Sequence, residues 1–239
     1  MLLFYIRHGD PIYDPDSLTE LGKKQAAALA KRLALYGLDK IYASTSPRAI
    51  MTAQPTCDLL KKEMTLLDFC NEGHAWQDFT ISSEEGTRVW LYASQRAKML
   101  FTSSEIRKRP ELWYEHPEFK AEYDYRGSVE RMYGNLDAFL ASHGYEHIRG
   151  TGQYRAVRPN DERIAVFAHE GMGMAFLSCL LDIPYPVFAC HFGLCHSGMT
   201  VIEFKTEGGM SIPRMLTLSS DSHLYREGLP TNYNNMIRF

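Results

Sequence analysis

Residues 2–9 read Leu2-Leu3-Phe4-Tyr5-Ile6-Arg7-His8-Gly9, in which an apolar run leads directly into Arg-His-Gly. A short continuous apolar run of this kind is typical of a β-strand buried on both faces of a sheet. The polar residues that follow break the run, so Arg7 and His8 stand at its carboxyl end. The stretch therefore predicts a central strand with two chemically active side chains at the sheet edge.

The segments after this strand alternate between helical and strand patterns. Apolar residues recur at helical spacing over 18–36, with Ser17 and Glu20 as a predicted capping box. Residues 38–43 form a second apolar strand, and Ser46 is the predicted N-cap of the next helix. Strand, helix, strand and helix in this order favour a mostly parallel sheet with helices on its faces.

An interruption follows at residues 73–126, which are polar, aromatic and helix-prone and contain all three tryptophans. Linkers lack such aromatic content, so we interpret this stretch as a helical insertion. The alternation then returns, with a helix through 129–139 and an apolar strand at Ile164–Ala168. The Gly- and Arg-rich stretch 147–163 between them is predicted to be an exposed loop.

The last segments complete the predicted sheet. A helix passes through Phe176 and Leu181, and strands are predicted at 200–204 and 215–218. The whole chain, residues 1–239, is predicted to be one α/β domain with a three-layer α/β/α architecture and a mostly parallel central sheet.

Composition excludes several classes of protein. Apolar residues make up 45% and charged residues 23%, which are ordinary globular proportions. With 26 Lys and Arg against 29 Asp and Glu, the net charge is −3, so no basic excess favours nucleic-acid binding. The five cysteines are widely spaced and odd in number, which indicates reduced thiols. No apolar stretch is typical of a signal peptide or a membrane span, so we expect a cytoplasmic protein without membrane partners.

Three predicted strands end in unusual residues, namely Arg7-His8, Ser46-Pro47-Arg48 and His169-Glu170-Gly171. Ligands of open α/β sheets bind at the carboxyl ends of the strands, where these side chains would meet. Two guanidiniums fixed at one place indicate a doubly charged oxyanion, most simply a phosphate.

These motifs resemble those of the histidine phosphatase superfamily, which includes cofactor-dependent phosphoglycerate mutase. The resemblance rests on residues 2–9 and on Leu-Thr-Glu-Leu-Gly-x-x-Gln-Ala at 18–26. It continues with Tyr-Ala-Ser-x-Ser-Pro-Arg at 42–48 and Ala-His-Glu-Gly at 168–171. The resemblance implies a phosphoglycerate mutase-like fold with the helical insertion, about 73–126, over the active site. A homodimer is an expectation of the class.

The resemblance also implies a role for each matched residue. His8 is expected to be the nucleophile that takes the phosphoryl group, and Glu72 the proton donor. The phosphate is expected to be surrounded by Arg7, Arg48 and His169, and His169 is also expected to be catalytic. Gly171 is expected to let the backbone approach the phosphate. A neutral imidazole is the nucleophilic form, and nearby guanidiniums favour it. This chemistry predicts neither a cofactor nor a metal.

Other residues compete for some of these roles. Glu84, Glu85 and Asp10 are rival acids to Glu72, and His74 is a further candidate for the pocket wall. Two Cys-His pairs, Cys190-His191 and Cys195-His196, fit no closed zinc site by their spacing. The basic stretch 96–109 is interpreted as a solvated helix face.

Two departures from the mutase pattern favour a phosphatase of small-molecule phosphomonoesters. Mutases of the family tend to carry Asn where Asp14 stands, and Gly-Glu-Ser where this chain has Arg126-Gly127-Ser128. A mutase-type isomerase is the alternative, and a non-catalytic phosphate-binding module is a third hypothesis.

The insertion is predicted to set substrate choice, because phosphate-binding residues cannot distinguish one ester from another. Its aromatic residues suit a bulky or ring-bearing leaving group better than phosphoglycerate. The opposing interpretation is that these rings only pack the insertion's own core.

Overall fold

The computed structural model describes residues 1–233 of the chain. The strands are β1 Leu2–Arg7, β2 Pro11–Tyr13, β3 Asp16–Leu18, β4 Lys40–Ser44, β5 Met64–Leu67, β6 Thr80–Ser82, β7 Arg88–Trp90, β8 Tyr145–Ile148, β9 Gln153–Ala156, β10 Arg163–Ala168, β11 Met199–Glu203, β12 Thr206–Glu207, β13 Met210–Ser211 and β14 Arg214–Ser220. The α-helices are α1 Glu20–Ala34, α2 Pro47–Leu60, α3 Glu72–Asp78, α4 Gln95–Phe101, α5 Ser104–Lys108, α6 Pro117–Glu122, α7 Tyr125–Ser142, α8 Glu170–Leu181, α9 Tyr185–His191 and α10 Ser222–Arg226.

The central sheet has the strand order β14-β11-β1-β10-β4-β5. Strands β1, β10, β4 and β5 are parallel to one another, while β11 and β14 form an antiparallel edge. The mostly parallel sheet predicted from the sequence is confirmed.

Strand β1 shows why the sheet is covered on both faces. Its alternate residues enter two separate cores: Leu3 and Tyr5 pack in one, and Phe4 and Ile6 in the other. The first core contains side chains of α7 and α8, and the second contains side chains of α1 and α2. A strand with apolar side chains on both faces needs apolar layers on both faces, which gives the three-layer arrangement.

The stretch 73–126 contains short helices and one hairpin that the sequence did not predict, β6 paired with β7. Several of its rings form a packed cluster with Tyr185 of α9. Its members are Phe101, Trp113, Phe119 and Tyr125. The single-domain assignment over residues 1–239 stays a prediction, since 234–239 lie outside the described residues.

Two local predictions were wrong. The N-cap of α1 is Thr19, whose hydroxyl accepts from the Gly22 N–H at 3.0 Å, while Ser17 lies in β3. The stretch 147–163 is not a plain loop, because β8 and β9 pair there and β9 joins β13. Tyr154 explains the second error: its ring is fully buried against His147, and the loop prediction weighed only the Gly and Arg content.

Candidate active site

A cavity of about 370 Å³ opens where the parallel strands end. Arg7 at the end of β1 is in register with Ala168 at the end of β10, and β4 lies on the other side of β10. The cavity is lined by Arg7, His8, Tyr13, Arg48, Glu72, Gly73, Trp76, Trp90 and Glu170. The structure thus brings His8, both predicted arginines and Glu72 to one place.

One ring nitrogen of His8 is engaged in a hydrogen bond. Its Nδ1 lies 2.7 Å from the carbonyl oxygen of Gly9, which can only accept, so Nδ1 carries the proton. In the neutral ring Nε2 then keeps its lone pair. Burial lowers the pKa of His8 well below its usual range, and the nearby His169 and Arg7 lower it further. The imidazole is therefore neutral near pH 7, which is the nucleophilic form.

The two arginines have different settings. Arg7 is 1% exposed, and its Nη1 donates to the Leu194 carbonyl at 2.5 Å and faces Glu170 at 2.9 Å. Arg48 stands in the first turn of α2, where its Nη1 lies 3.0 Å from Asp16 of β3. Nε of Arg48 is buried without a hydrogen-bond partner among the described residues. An arginine Nε–H is always a donor, so this group lacks an acceptor.

His169 lies directly after β10, with its ring centroid 5.1 Å from that of His8. Its Nε2 contacts the Ser44 hydroxyl at 2.8 Å, and its carbonyl accepts from the Tyr5 hydroxyl at 2.8 Å. Burial, followed by the charges of Arg48 and Arg7, lowers the pKa of His169 well below its usual range. Within residues 1–233, its buried Nδ1 has no hydrogen-bond partner.

Glu72 begins α3, and its carboxylate faces the start of α8. Its two oxygens accept from the N–H groups of Gly171 and Met172, each at 3.1 Å. Burial raises the pKa of Glu72 to about 7, although these N–H groups and the two arginines act in the opposite direction. A carboxyl group with this pKa can hold a proton at neutral pH and release it during a reaction.

Gly171 has a different setting from the one predicted. Its N–H donates to Glu72, and a Cβ built on it would lie 2.5–2.8 Å from ring atoms of Trp90. Glycine is needed here because the indole of Trp90 sits on the backbone at the start of α8. The phosphate-binding role of Gly171 stays a prediction.

The rival acids and the further histidine lie elsewhere. Glu84 and Glu85 are exposed between β6 and β7. Asp10 accepts from the Thr19 hydroxyl at 2.7 Å. His74 is exposed and pairs with Asp68 at 3.1 Å, so it does not line the cavity.

His196 is a site residue that sequence reasoning did not place. Its Nε2 lies 2.8 Å from Nη2 of Arg7, and its Nδ1 faces Asp10 at 3.4 Å. Its ring centroid is 5.7 Å from that of His8. The Cys-His pairs drew attention to this residue as a candidate zinc ligand, but within residues 1–233 no cluster of metal-binding side chains is found. The Arg7 contact could not be found from spacing.

The family model of the histidine phosphatase superfamily (branch 1) matches residues 3–105. The predicted resemblance to this superfamily is confirmed. The comparison with curated proteins finds no match.

Solved structures of low identity share the histidine phosphatase fold. A phosphoserine phosphatase from Entamoeba histolytica, solved in complex with 3-phosphoglyceric acid, is 19% identical over 93% of this chain and 98% of its own, with a TM-score of 0.57. A mycobacterial glucosyl-3-phosphoglycerate phosphatase is 16% identical over 92% of this chain and 98% of its own, with a TM-score of 0.59.

In the described part of the chain, no helix combines the length and the apolar character that a membrane crossing requires.

Proposed function

We propose that the protein is a phosphatase that hydrolyses small-molecule phosphomonoesters through a phosphohistidine on His8. The observation that carries the proposal is a single cavity lined by the neutral imidazole of His8, the guanidiniums of Arg7 and Arg48, and the carboxyl group of Glu72. A phosphate oxygen is an acceptor that suits a guanidinium, and a phosphorus beside His8 Nε2 is open to attack.

The first step transfers the phosphoryl group to the enzyme. The lone pair on His8 Nε2 forms the N–P bond while the bond from phosphorus to the ester oxygen breaks. Arg7, Arg48 and His169 stabilise the charge on the phosphoryl oxygens. Glu72 in its protonated form gives its proton to the leaving alkoxide, so that a neutral alcohol departs.

The second step returns the enzyme to its starting state. Glu72, now ionised, takes a proton from a water molecule, whose oxygen attacks phosphorus as the N–P bond breaks. The products are inorganic phosphate and His8 with its lone pair restored. The groups in this cycle are side chains that line the cavity, together with His169, whose ring centroid lies 5.1 Å from that of His8, so we expect activity to survive exhaustive chelation.

A phosphoglycerate mutase-type isomerase uses the same first step and differs in the second. Asp14 does not act against this reaction as expected from the sequence, since it is exposed in the β2–β3 turn and does not line the cavity. Asp16 does act against it, because its carboxylate lies against Arg48 and opposes a second anionic group. A non-catalytic binding module has no need of a nucleophile with a free ring nitrogen.

Two measurements test the proposal. Incubation with a ³²P-labelled phosphomonoester and rapid quenching should trap acid-labile, base-stable phosphate on the wild-type protein and none on His8→Ala. Product analysis should then show free phosphate and alcohol. An isomer of the substrate without free phosphate would establish the mutase alternative, and label on the His8→Ala protein would contradict the nucleophile assignment.

A further inference from the structure

Two tryptophans stand beside Glu72 in the site cavity. Trp76 follows Glu72 by four residues on α3, so the two side chains share a helix face. Trp90 ends β7 and meets Trp76 edge to face, with ring centroids 4.9 Å apart at 85°. Both indoles line the cavity that holds His8. We name this pair the tryptophan wall.

Contacts with Tyr92 and Gly171 fix the position of Trp90 in the tryptophan wall. Trp90 stacks on Tyr92 with centroids 5.6 Å apart, and its six-membered ring rests on the backbone of Gly171. Because any larger residue at 171 would collide with this ring, the glycine gives Trp90 its position. Trp76 remains 38% exposed, so part of its indole surface is accessible to a ligand.

The charges around the cavity oppose a second anion. Arg7 and Arg48 are the cations among the described residues that line it, and each already faces a carboxylate, Glu170 at 2.9 Å and Asp16 at 3.0 Å. A bound phosphate adds up to about two negative charges. The two arginines would then already be balanced by these carboxylates and the bound phosphate. A carboxylate or second phosphate on the leaving group would be repelled by Glu170 and Asp16.

We propose that the tryptophan wall binds the leaving group and selects phosphomonoesters of uncharged, ring-bearing alcohols. This inference rests on the proposed function, since the role of Glu72 as acid is what places the leaving oxygen beside Trp76 and Trp90. Indole faces and edges favour an aromatic ring through offset or edge-to-face packing. The arrangement excludes leaving groups that carry a second anionic charge.

The test compares substrates whose leaving groups have similar acidity. Benzyl phosphate and ethyl phosphate both release a primary alcohol, so the ratio of their kcat/KM values reports contacts with the wall more than leaving-group chemistry. We expect benzyl phosphate to be favoured about tenfold or more over ethyl phosphate. We expect 3-phosphoglycerate to be hydrolysed less efficiently than ethyl phosphate.

Variants locate the preference. Trp90→Leu and Trp76→Leu should each lower the benzyl-to-ethyl ratio about threefold or more. Gly171→Ala should lower it as well, because its methyl group displaces the Trp90 ring while the N–H that binds Glu72 is kept. Trp113→Leu is the matched control. This indole is buried in the aromatic cluster and does not line the site cavity, so its loss should lower the melting temperature and leave the ratio unchanged.

The outcomes separate this inference from the proposed function. If esters are hydrolysed through His8 but the ratio is near one, or is unchanged in both wall variants, the inference is wrong and the phosphatase stands. Preference for choline phosphate over benzyl phosphate would also overturn it, because the wall would then select a cation. If no ester is hydrolysed and no phosphohistidine forms, the proposed function itself has failed.

Discussion

Two of the regions that contribute to the site cavity are held in different ways. The strand-end frame, Arg7, His8, Ser44 and His169, consists of polar side chains fixed by hydrogen bonds at the buried edge of the sheet. The insertion, residues 73–126, is held largely by rings packed on rings, with Trp113 at the centre of its cluster. Hydrogen bonds set the position of single atoms, whereas apolar packing tolerates volume-conserving exchange.

Mutations in the strand-end frame and in the insertion should therefore affect catalysis differently. A change in the frame should alter the rate with every ester and leave the ratio between esters nearly constant. A change in the insertion should alter stability or that ratio. A frame mutation that changed only this ratio would show that the two regions do not divide catalysis and substrate choice between them.

The largest effect is expected for His8→Ala. Without the nucleophile no phosphohistidine forms, so kcat should fall at least about 10³-fold with benzyl and ethyl phosphate alike. His74→Ala is the matched control, because this histidine is exposed, pairs with Asp68 and lies outside the cavity. Steady-state kinetics and a melting curve check both variants. Comparable activity in His8→Ala and wild type would contradict the mechanism.

Glu72→Gln is expected to be the next largest. The amide keeps the shape but gives no proton, so kcat/KM with ethyl phosphate should fall about 10²–10⁴-fold. The loss should be much smaller with p-nitrophenyl phosphate, whose leaving group needs no proton. Equal losses with both esters would indicate a structural role for Glu72. Glu84→Gln changes a carboxylate in an exposed turn, so kcat/KM should stay the same with both esters.

The pH profile of the same pair gives a third expectation. Glu72 must be protonated, and its pKa is raised to about 7, so wild-type kcat/KM should decline as pH rises through about 7. His8 should add no loss on the acid side until well below pH 6.5, because its pKa is lowered. The ratio of wild type to Glu72→Gln cancels the ionisation of the substrate. If that ratio were constant from pH 5 to 9, Glu72 would not be the acid.

His196 extends the frame and should give a smaller effect. Its Nε2 receives one of the Arg7 N–H groups, so His196→Leu removes one hydrogen bond from a phosphate-binding arginine. One such bond is worth about 1–1.5 kcal/mol, or about tenfold in kcat/KM. His196→Gln should recover part of the loss, since an amide oxygen also accepts, whereas a purely steric role would not distinguish the two. His191→Leu, at an exposed position, is the control.

The sequence was sufficient to predict the positions of those site residues that follow directly from the order of strands and helices. Each of four residues stands at the end of a strand, directly after one, or at the start of a helix: Arg7, His8, Arg48 and His169. A parallel sheet therefore brings them together once the strands are recognised. Glu72 was found through its spacing in the family pattern. Its raised pKa depends on burial against α8, which no local pattern shows.

The residues that sequence reasoning missed come from segments positioned by tertiary packing. His196 precedes β11, and Asp16 lies in a hairpin that was not predicted. Trp90 belongs to the aromatic residues that were expected to contact the leaving group, but its packing on Gly171 was not foreseen. The residue types of His196 and Asp16 carry no periodic signal that points to the site. The same reason explains the error at the start of α1, where the threonine rather than the serine has the geometry of a cap.

The smallest expected effect compares one chemical change in the two regions. Thr19→Ala removes the N-cap of α1, and Ser94→Ala removes the N-cap of α4 in the insertion, whose hydroxyl accepts from the Ala97 N–H at 3.2 Å. Each should lower the free energy of unfolding by about 1 kcal/mol, because an N–H at the helix start loses its acceptor. Only Thr19 also donates to Asp10, which faces His196, so only Thr19→Ala should lower kcat/KM, by about twofold to threefold and equally for benzyl and ethyl phosphate.

Ser17→Ala, which removes the hydroxyl first expected to be the cap, should change stability by less than about 0.5 kcal/mol. Urea unfolding with kinetics on the same preparations would decide it: an effect of Ser94→Ala on the rate with both esters, or none of Thr19→Ala on stability, would show that the two regions are not separable in this way.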